Sequence, residues 1–462
     1  MKSKVLIGVL FCTVFSMNAQ LKKWTLEECV TYAIENNLTI EQFELDLENA
    51  EIDKSDAFGN LLPDLNGSTS ISETSGLVVD PNSNTNVSGT IFAVAPSLTT
   101  NLTVFDGLRN INRVKRAKLN AISNQYRLDD LKDDIRLQVA QFYLDVLSNK
   151  EQLKVARAQY AVTEQDLKRT KELVESGVVP RGDLLEIEAT AASQEQQIVN
   201  NEALVIISRI SLAQLLQITD YDNFDVADES FDVPPSDILD NSAKVIFDKA
   251  LGFRNDIKLA ETNIELAEKD VKIARGVLYP TVTAFFNYNT FYSDQFSIDL
   301  DPDTGQPILD PDTGLPLFFR DRFIDQLWLN DGIRYGFQAN IPVFNGWSAR
   351  NGVRRAKIDL KRSELQMEQT KLELETAINQ AYVDVKTFSK AYEAAEKNLE
   401  AREVAYQYQK DRFDVGLLNA FDFGQSQARL DDARANVIQS KYNYIFRLKI
   451  LEFYFGIPIR LN

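Results

Sequence analysis

Histidine is absent from the 462 residues of this chain. Without an imidazole there can be no histidine general base, no Ser-His-Asp or Cys-His catalytic arrangement and no usual zinc site. The phosphate-binding GxxxxGK[ST] motif and a strand-linked GxGxxG are also missing. Paired carboxylates such as Asp431-Asp432 fit the solvated faces of highly charged helices. We therefore expect that the protein is not an enzyme and that it binds no metal or cofactor.

Long apolar runs are missing as well. A membrane-spanning helix needs about twenty consecutive apolar residues, and the sequence has no such run. Residues 1–19 combine Lys2 and Lys4 with an apolar segment from Val5 to Phe15 and then Met17-Asn18-Ala19. This pattern predicts a secretory signal peptide, which is removed from the mature protein.

Cysteine and basic charge are both scarce in the expected mature chain. Cys12 lies inside the signal peptide, so Cys29 would have no partner for a disulfide within the chain. Removing Lys2 and Lys4 leaves 48 basic residues against 68 acidic ones, a net charge of −20. Such an excess of negative charge disfavours nucleic acid as a partner.

The chain contains an internal duplication. Residues 105–120 align without a gap onto 344–359 at an offset of 239, and seven of the sixteen positions are identical. Upstream the offset is 217, so the second copy holds an insertion of 22 residues between Pro280 and Phe344. Because register is kept elsewhere, we expect the insertion to occupy one tolerant loop.

Each copy contains a long segment without glycine or proline. These segments span residues 108–176 and 353–415, 69 and 63 residues respectively. At about 1.5 Å per residue, each could form a helix on the order of 100 Å long. Apolar residues recur in steps of three and four, which is typical of a coiled-coil seam: Leu128, Leu131, Ile135, Val139, Phe142 and Val146, then Leu374, Ile378, Ala381, Val385, Phe388, Tyr392, Ala395 and Leu399. A soluble two-stranded coiled coil would explain these segments alone.

Short alternating segments precede each long helix. In 333–344 the odd positions from Ile333 to Val343 are apolar, whereas Arg334, Gln338 and Asn340 share the other face. Similar strands are predicted at 61–72, 97–105 and 279–291. Segments of about ten alternating residues are typical of a transmembrane β-barrel, although a soluble hairpin packed on helices would give the same pattern. Four strands cannot close a barrel, so a chain that spans a membrane with them must oligomerise.

The insertion carries a short tandem motif. DPDTG occurs at 301–305 and again at 310–314. The Asp-x-Asp-x-Gly core is similar to a calcium loop but lacks the other ligands of an EF-hand. We expect an exposed surface loop rather than a calcium site.

Several segments together resemble a known family. They are WTLEECVTYAIENN (24–37), VFDG and VFNG at the starts of the long helices, ESGVVPRGDLLEIEA (175–189) and DVGLLNAFDFGQSQA (414–428). With the signal peptide and the proline-led strands, the mature chain looks like an outer-membrane efflux protein, the family of which TolC is the type member.

The resemblance implies a mainly α fold with transmembrane β structure, built from a duplicated strand-strand-helix-helix repeat. Three protomers would form a twelve-stranded β-barrel joined to a long periplasmic α-helical barrel. The first repeat would span 20–232, with strands at about 61–105 and tunnel helices at about 107–218. The second would span 233–462, with strands at about 279–344 and helices at about 346–456.

The resemblance also implies roles for the two turns between paired helices. Gly177 and Gly416 are expected to end the long helices, since glycine readily adopts the left-handed conformation at a C-cap. In the family these turns form the periplasmic tip that docks with an adaptor protein. The implied docking residues are Gly177, Val178, Val179, Gly416, Leu417 and Leu418.

A channel aperture is implied close to these turns. Asp422 matches an aspartate ring that constricts the tunnel in the family, and Asp183 matches an aspartate that helps hold the closed tip. The second constricting aspartate falls on Gln425 here, and the arginine of the closing link falls on Leu418. Constriction by Asp422 therefore carries over, whereas the complete salt link does not. Both aspartates could instead stabilise helix starts through the helix dipole.

The sequence thus predicts a passive exit duct in the outer membrane, with helices in the periplasm. Its expected partners are two further copies of the chain, outer-membrane lipid, a periplasmic adaptor and an inner-membrane pump of the RND or ABC type. Small-molecule or metal efflux is favoured over type I protein secretion. The alternative is a soluble periplasmic coiled-coil interaction protein.

Overall fold

The structure is a computed structural model that describes residues 22–79, 86–228, 232–233 and 236–459. The predicted signal peptide, residues 1–19, lies outside the described residues.

The helices repeat in length between the two halves of the chain. In each half a 22-residue helix precedes the strands, and a 67-residue helix and a 35-residue helix follow them. The helices are α1 Leu26–Asn36, α2 Leu38–Gly59, α3 Arg109–Glu175, α4 Arg181–Leu215, α5 Ala243–Ala250, α6 Asn255–Gly276, α7 Phe323–Leu329, α8 Ser348–Asp414 and α9 Ala420–Tyr454. Equal lengths in the two copies are what a duplicated repeat predicts. None of the described helices is both long and apolar enough to span a bilayer.

The main sheet is antiparallel and has the order β2-β3-β5-β9. Ser97 of β3 lies opposite Asn289 of β5, and Asn289 lies opposite Gly332 of β9. The strands are β1 Lys23–Trp24, β2 Asn66–Val79, β3 Asn86–Phe105, β4 Asp225–Val226, β5 Thr281–Asn289, β6 Tyr292–Ser293, β7 Ser297–Ile298, β8 Phe318–Phe319 and β9 Gly332–Asn340. Within the chain, β2 and β9 form the edges of the sheet.

The strands β2, β3 and β9 differ in extent from the sequence-based expectation. The alternation at 333–344 continues past the end of β9, but the strand stops at Asn340 because Pro342 has no N–H to donate to a ladder. β2 begins at Asn66 and continues to Val79, beyond the predicted 61–72. β3 begins at Asn86, eleven residues before the predicted 97–105. These added segments of β2 and β3 lack a strict alternation of apolar and polar residues, so the sequence pattern does not predict them.

The insertion is more ordered than the expected loop. It contains the β7–β8 pair and the helix α7. Around the DPDTG repeats, three backbone segments bond in a ring: Ile308 N–H donates to Asp299, Leu317 N–H donates to Ile308, and Asp299 N–H donates to Leu317. The nine-residue spacing of the repeats places these three residues in register.

The chain divides into two compact units. Among the described residues, the helical unit comprises those up to Asp46, Gln125–Leu259 and those from Glu368 onward, and the sheet unit comprises Leu47–Asn124 and Ala260–Met367. The largest apolar core lies in the helical unit. Its fully buried side chains include the predicted seam residues Val139 and Val146 of α3 and Ile378 and Val385 of α8. Burial of such side chains stabilises a fold by about 1.5–3 kcal/mol each.

Candidate functional site

The two turns predicted to form the tip have the same backbone geometry. Gly177 and Gly416 have φ values of 73° and 75°, which glycine adopts without the strain of a Cβ. After α3, Gly177 N–H donates to Val174 at 3.0 Å and Val178 N–H to Leu173 at 2.9 Å. This is a Schellman motif, and it satisfies carbonyls at the helix end. The corresponding bonds follow α8, where Leu417 N–H donates to Arg412 at 2.8 Å.

The turns present apolar side chains at the ends of charged helices. Val178 and Leu417 are 67% and 70% exposed, whereas Val179 and Leu418 are half-buried. A cavity of about 370 Å³ lies between the turns and is lined by Leu173, Phe413 and the four tip side chains, among others. The structure thus brings the two predicted docking turns together around one cavity, whose lining includes both apolar and charged side chains.

Asp183, in the first half of the duplicated chain, contacts a helix of the second half. It lies in the first turn of α4 and is half-buried. Its Oδ1 accepts a hydrogen bond from the backbone N–H of Ala420, the first residue of α9, at 3.4 Å. Asp183 therefore stabilises the start of α9 from outside that helix, since a carboxylate near an N-terminus favours the helix dipole.

Asp422 and Gln425 lie on exposed positions of α9. Asn419 provides the N-cap of α9, because its Oδ1 accepts from Asp422 N–H at 2.8 Å. The Asn419 amide nitrogen also donates to the Asp422 carboxylate at 3.0 Å. Gln425 accepts from Arg429 at 2.9 Å. The Asp422 carboxylate is thus not needed as the cap of its own helix, and it remains exposed to solvent.

Arg169 was not identified from the sequence. Its guanidinium bonds both the carboxylate and the carbonyl oxygen of Asp414, the last residue of α8. The partners are 245 residues apart. At the duplication offset of 239, Arg169 corresponds to Tyr408, so the second copy contains no equivalent pair. No local motif could have signalled a contact that is present in only one of the two repeats.

A second polar link lies deeper between the helices. Gln427 of α9 donates to the hydroxyl of Thr163 of α3 at 2.6 Å, and both side chains are buried. Gln194 of α4 donates to the carboxylate of Asp431 of α9 at 2.9 Å, beside a polar cavity of about 470 Å³. Burial raises the pKa of Asp431 to about 6. Polar side chains therefore contribute to the contact between the two helix pairs.

The described residues contain no group of three or more histidine, cysteine, aspartate or glutamate side chains placed to hold a metal ion. In the DPDTG repeats, Asp301 Oδ1 accepts from the N–H groups of Asp303 and Thr304 at 3.0 and 2.8 Å. Asp310 accepts from Asp312 and Thr313 in the same way, and these bonds lower the pKa of both carboxyls. The first carboxylate of each motif therefore stabilises its own turn.

Comparison with known proteins identifies the fold. Among curated proteins, no sequence matches this chain. The alignment with the outer membrane protein VceC from Vibrio cholerae covers 94% of this chain and 97% of VceC, at 16% identity and a TM-score of 0.76. The CmeC outer membrane channel of Campylobacter jejuni aligns with 93% of this chain and 85% of CmeC, at 18% identity and a TM-score of 0.75. The open state of the MtrE outer membrane channel of Neisseria gonorrhoeae gives an alignment that covers 94% of this chain and 89% of MtrE. The identity is 16% and the TM-score is 0.69.

The family itself is shown by the sequence. The profile of the family described as outer membrane efflux protein matches residues 30–216 and 246–456, which is most of the chain and both of its halves. The structure has the strand-strand-helix-helix order in each half, as the resemblance implied. The protein is located in the outer membrane, with its helices extending into the periplasm. The chain belongs to the outer membrane efflux protein family, whose members are channel proteins.

Proposed function

We propose that the protein is the exit duct of a tripartite export assembly. Substrates would pass from an inner-membrane pump of the RND or ABC type, through a periplasmic adaptor, into a channel made of three copies of this chain. The family description supports efflux rather than protein secretion as the transported class. The observation that carries the proposal is the pair of glycine-capped turns with exposed apolar side chains.

The edges of the main sheet support the homotrimer. β2 and β9 each pair with one strand inside the chain, so the outer backbone groups of both are free to bond another copy. Unpaired strand edges are not tolerated in lipid, because a buried unsatisfied peptide group costs several kcal/mol. Three copies would join their edges into twelve strands. Light scattering in mild detergent should give three times the chain mass; a monodisperse, water-soluble monomer would contradict the channel.

The tip turns are the proposed adaptor-docking surface, composed of Gly177, Val178, Val179, Gly416, Leu417 and Leu418. Apolar side chains exposed at the ends of charged helices mark an interaction site. The cavity between the turns offers a recess for an apolar side chain of the partner.

Site-specific photocrosslinking tests this surface. A photoreactive residue in place of Leu417 should crosslink to a periplasmic adaptor in intact cells. Val404 provides the matched control, because it lies on α8, ten residues before the end of that helix, and is 69% exposed, compared with 70% for Leu417 in the turn that follows. Crosslinking of the adaptor with equal yield at both positions would show that docking does not depend on the tip.

We assign the channel aperture to Asp422, with Asp183 and Gln425 beside it. Threefold symmetry would place three Asp422 carboxylates around one axis, where like charges attract cations. The proposed domain boundaries stay those of the two repeats, 20–232 and 233–462. The equal lengths of the corresponding helices in the two halves support them.

A further inference from the structure

The insertion between β5 and β9 exposes a group of apolar side chains on a short helix. Phe323, Ile324, Trp328 and Leu329 of α7 are all exposed, Trp328 to 72% and Leu329 to 68%. Isolated exposed apolar residues are ordinary, but four within seven residues form a patch that requires a partner. We refer to these four side chains as the α7 face.

The orientation of the α7 face is fixed by hydrogen bonds on the opposite side of the helix. Gln326 is buried; its Oε1 accepts from Ser293 N–H at 2.9 Å and its Nε2 donates to the Ser293 carbonyl at 3.0 Å. The hydroxyl of Thr290 donates to the carbonyl of Leu327 at 2.7 Å. Asn330, which caps the helix, donates to the carbonyl of Phe291 at 3.1 Å. Gln326 thus points inward, whereas four of the five apolar side chains of α7 are exposed beside the ion pair of Asp325 with Arg322. This differs from the arrangement expected for a loop helix in water.

The position of α7 along the sheet follows from the strand lengths. β5 and β9 have nine residues each and end together at the pair Asn289 and Gly332. Nine residues rise about 30 Å, and a strand tilt of about 40° reduces this to roughly 23 Å, close to the apolar band of an outer-membrane protein. The other end of these strands leads to α6 and α8, which extend into the periplasm. α7 therefore lies beyond the end of the β5–β9 pair that faces away from α6 and α8, beside the part of β3 that continues towards Asn86.

The residues around α7 indicate what covers its apolar face. Leu329 and Trp328 precede Ile333 of β9 by four and five residues. The side chain of Ile333 is exposed like those of Tyr335 and Phe337 on the same side of the strand. The α7 face therefore continues the apolar surface of a spanning strand. Close by, Arg320 lies over the ring of Phe296 at 5.3 Å, and both side chains are exposed. Aromatic rings beside basic groups are typical of the membrane interface, where one end of the pair meets lipid and the other meets water.

We propose that the α7 face, Phe323, Ile324, Trp328 and Leu329, rests on the lipid of the outer leaflet at headgroup depth. The inference goes beyond the export function and rests on the proposed spanning of the sheet. It gives the insertion a role: α7 anchors the outer end of β5 and β9 at the interface, as amphipathic interfacial helices do.

Spin-label accessibility in reconstituted vesicles tests the proposal. The wild-type chain should take up little of the thiol-reactive label at Cys29. That residue is fully buried, and burial raises the pKa of its thiol to about 12, which leaves little reactive thiolate. A nitroxide is attached to Leu329→Cys in the trimer in phospholipid vesicles. Oxygen, which concentrates in lipid, should relax this label several-fold more strongly than a water-soluble nickel chelate does.

Two control positions provide reference values, one for a label in water and one for a label in lipid. Asp312→Cys lies in the exposed turn of the second DPDTG repeat and should respond mainly to the nickel chelate. Phe337→Cys lies in the middle of β9 and should respond mainly to oxygen, at greater depth than position 329. Ile324→Cys, a second exposed position on the α7 face, should give the same result as Leu329→Cys and replaces it if that variant does not assemble.

The possible results distinguish lipid, water and protein as the surroundings of the α7 face. Nickel accessibility at position 329 equal to that at 312 would place the α7 face in water and overturn the proposal. Low accessibility to both reagents would show contact with protein, such as a second copy, and would overturn it as well. If Phe337→Cys itself proved water-exposed, the spanning sheet would fall and the channel proposal with it. A lipid response at 337 with an aqueous one at 329 would overturn only the inference about α7.

Discussion

Arg169 of α3 binds Asp414 at two points, since its guanidinium donates to both the carboxylate and the carbonyl oxygen of that residue. Asp414 is the last residue of α8, so the bond to its carbonyl satisfies an acceptor that has no partner within the helix. The pair joins the tip end of the first long helix to that of the second. Charge-assisted bonds of this kind contribute roughly 1.5–3 kcal/mol in protected positions, and less here because Arg169 is half-exposed.

The first prediction concerns this pair. Arg169→Gln should loosen the tip, because it removes the charge and the second donor, and the resting conductance of the reconstituted channel should rise. Arg362→Gln is the matched control: Arg362 forms an exposed ion pair with Asp359 on α8, away from the tip. A conductance equal to that of the wild type in single-channel recording would show that the Arg169–Asp414 pair does not restrain the tip.

The second prediction concerns docking. Val178→Asp combined with Leu417→Asp should abolish export by intact cells, because two carboxylates cannot enter an apolar contact without a large desolvation cost. Trimer assembly should be unchanged, since both side chains are exposed. Val404→Asp should leave export near the wild-type rate. Export that continues normally in the double variant would contradict adaptor binding at these turns.

Much of the fold could be predicted from the sequence because the signals are local and occur twice. The absence of glycine and proline from 108–176 marked α3, and the matched Gly177 and Gly416 marked its end and that of α8. The helices that precede the strands were not predicted: α1 and α5 are short, and α2 and α6, with 22 residues each, lie outside the two long segments without glycine and proline. α7 was also missed, because its apolar side chains point outward and give no core-facing pattern.

The candidate site was predicted less completely. Asp183 and Asp422 were found through the duplication, because they occupy equivalent positions. Their contacts were not predictable: Asp183 bonds the start of α9, and Asp422 bonds Asn419. Such pairing depends on how two helix pairs align in three dimensions, and this is not recorded in the spacing of either segment.

The third prediction concerns ion selectivity. Asp422→Asn should reduce the cation preference of the channel and weaken block by multivalent cations from the periplasmic side, because the proposed ring loses its negative charges. Asp411→Asn is the control, since Asp411 is an exposed carboxylate near the end of α8 whose Oδ1 accepts from Gln407 at 2.8 Å. Planar-bilayer recordings with equal selectivity for wild type and Asp422→Asn would leave Asp422 with a role only at the helix start.

The fourth prediction concerns Arg254, a buried cation in the helical unit. Its guanidinium bonds Asp256 at 3.0 and 3.2 Å, lies 3.6 Å from Asp130, and packs near the rings of Phe453 and Tyr454. Arg254→Gln should lower the stability by on the order of 3 kcal/mol, because it leaves carboxylates without their cation.

The loss in Arg254→Gln should depend on pH. Burial raises the pKa of Asp130 to about 6, so protonation near pH 5 relieves the repulsion that the missing guanidinium leaves behind. Thermal unfolding should therefore show a larger destabilisation at pH 7.5 than at pH 5. Equal losses at both pH values would mean that Arg254 contributes mainly through packing against the two rings.

The last prediction concerns Asp431, whose pKa is raised to about 6 by burial between α4 and α9. The carboxylate accepts from Gln194, and Arg434 and Asp432 lie nearby on α9, the former paired with Glu403 of α8. An unfolded aspartate has a pKa of about 3.9, so between about pH 4 and 6 the folded protein holds more protons at this site than the unfolded chain does. Stability should consequently fall as the pH rises through this window and stay lowered above it.

Asp431→Asn removes the charge and keeps an acceptor for Gln194. It should therefore stabilise the protein by on the order of 2 kcal/mol at pH 7.5 and have almost no effect at pH 4. Asp432→Asn, at the exposed neighbouring position, should have little effect at either pH. Thermal melts of the three proteins at both pH values provide the measurement. A gain in Asp431→Asn that is the same at pH 4 and pH 7.5 would show that the benefit does not come from removing a buried charge.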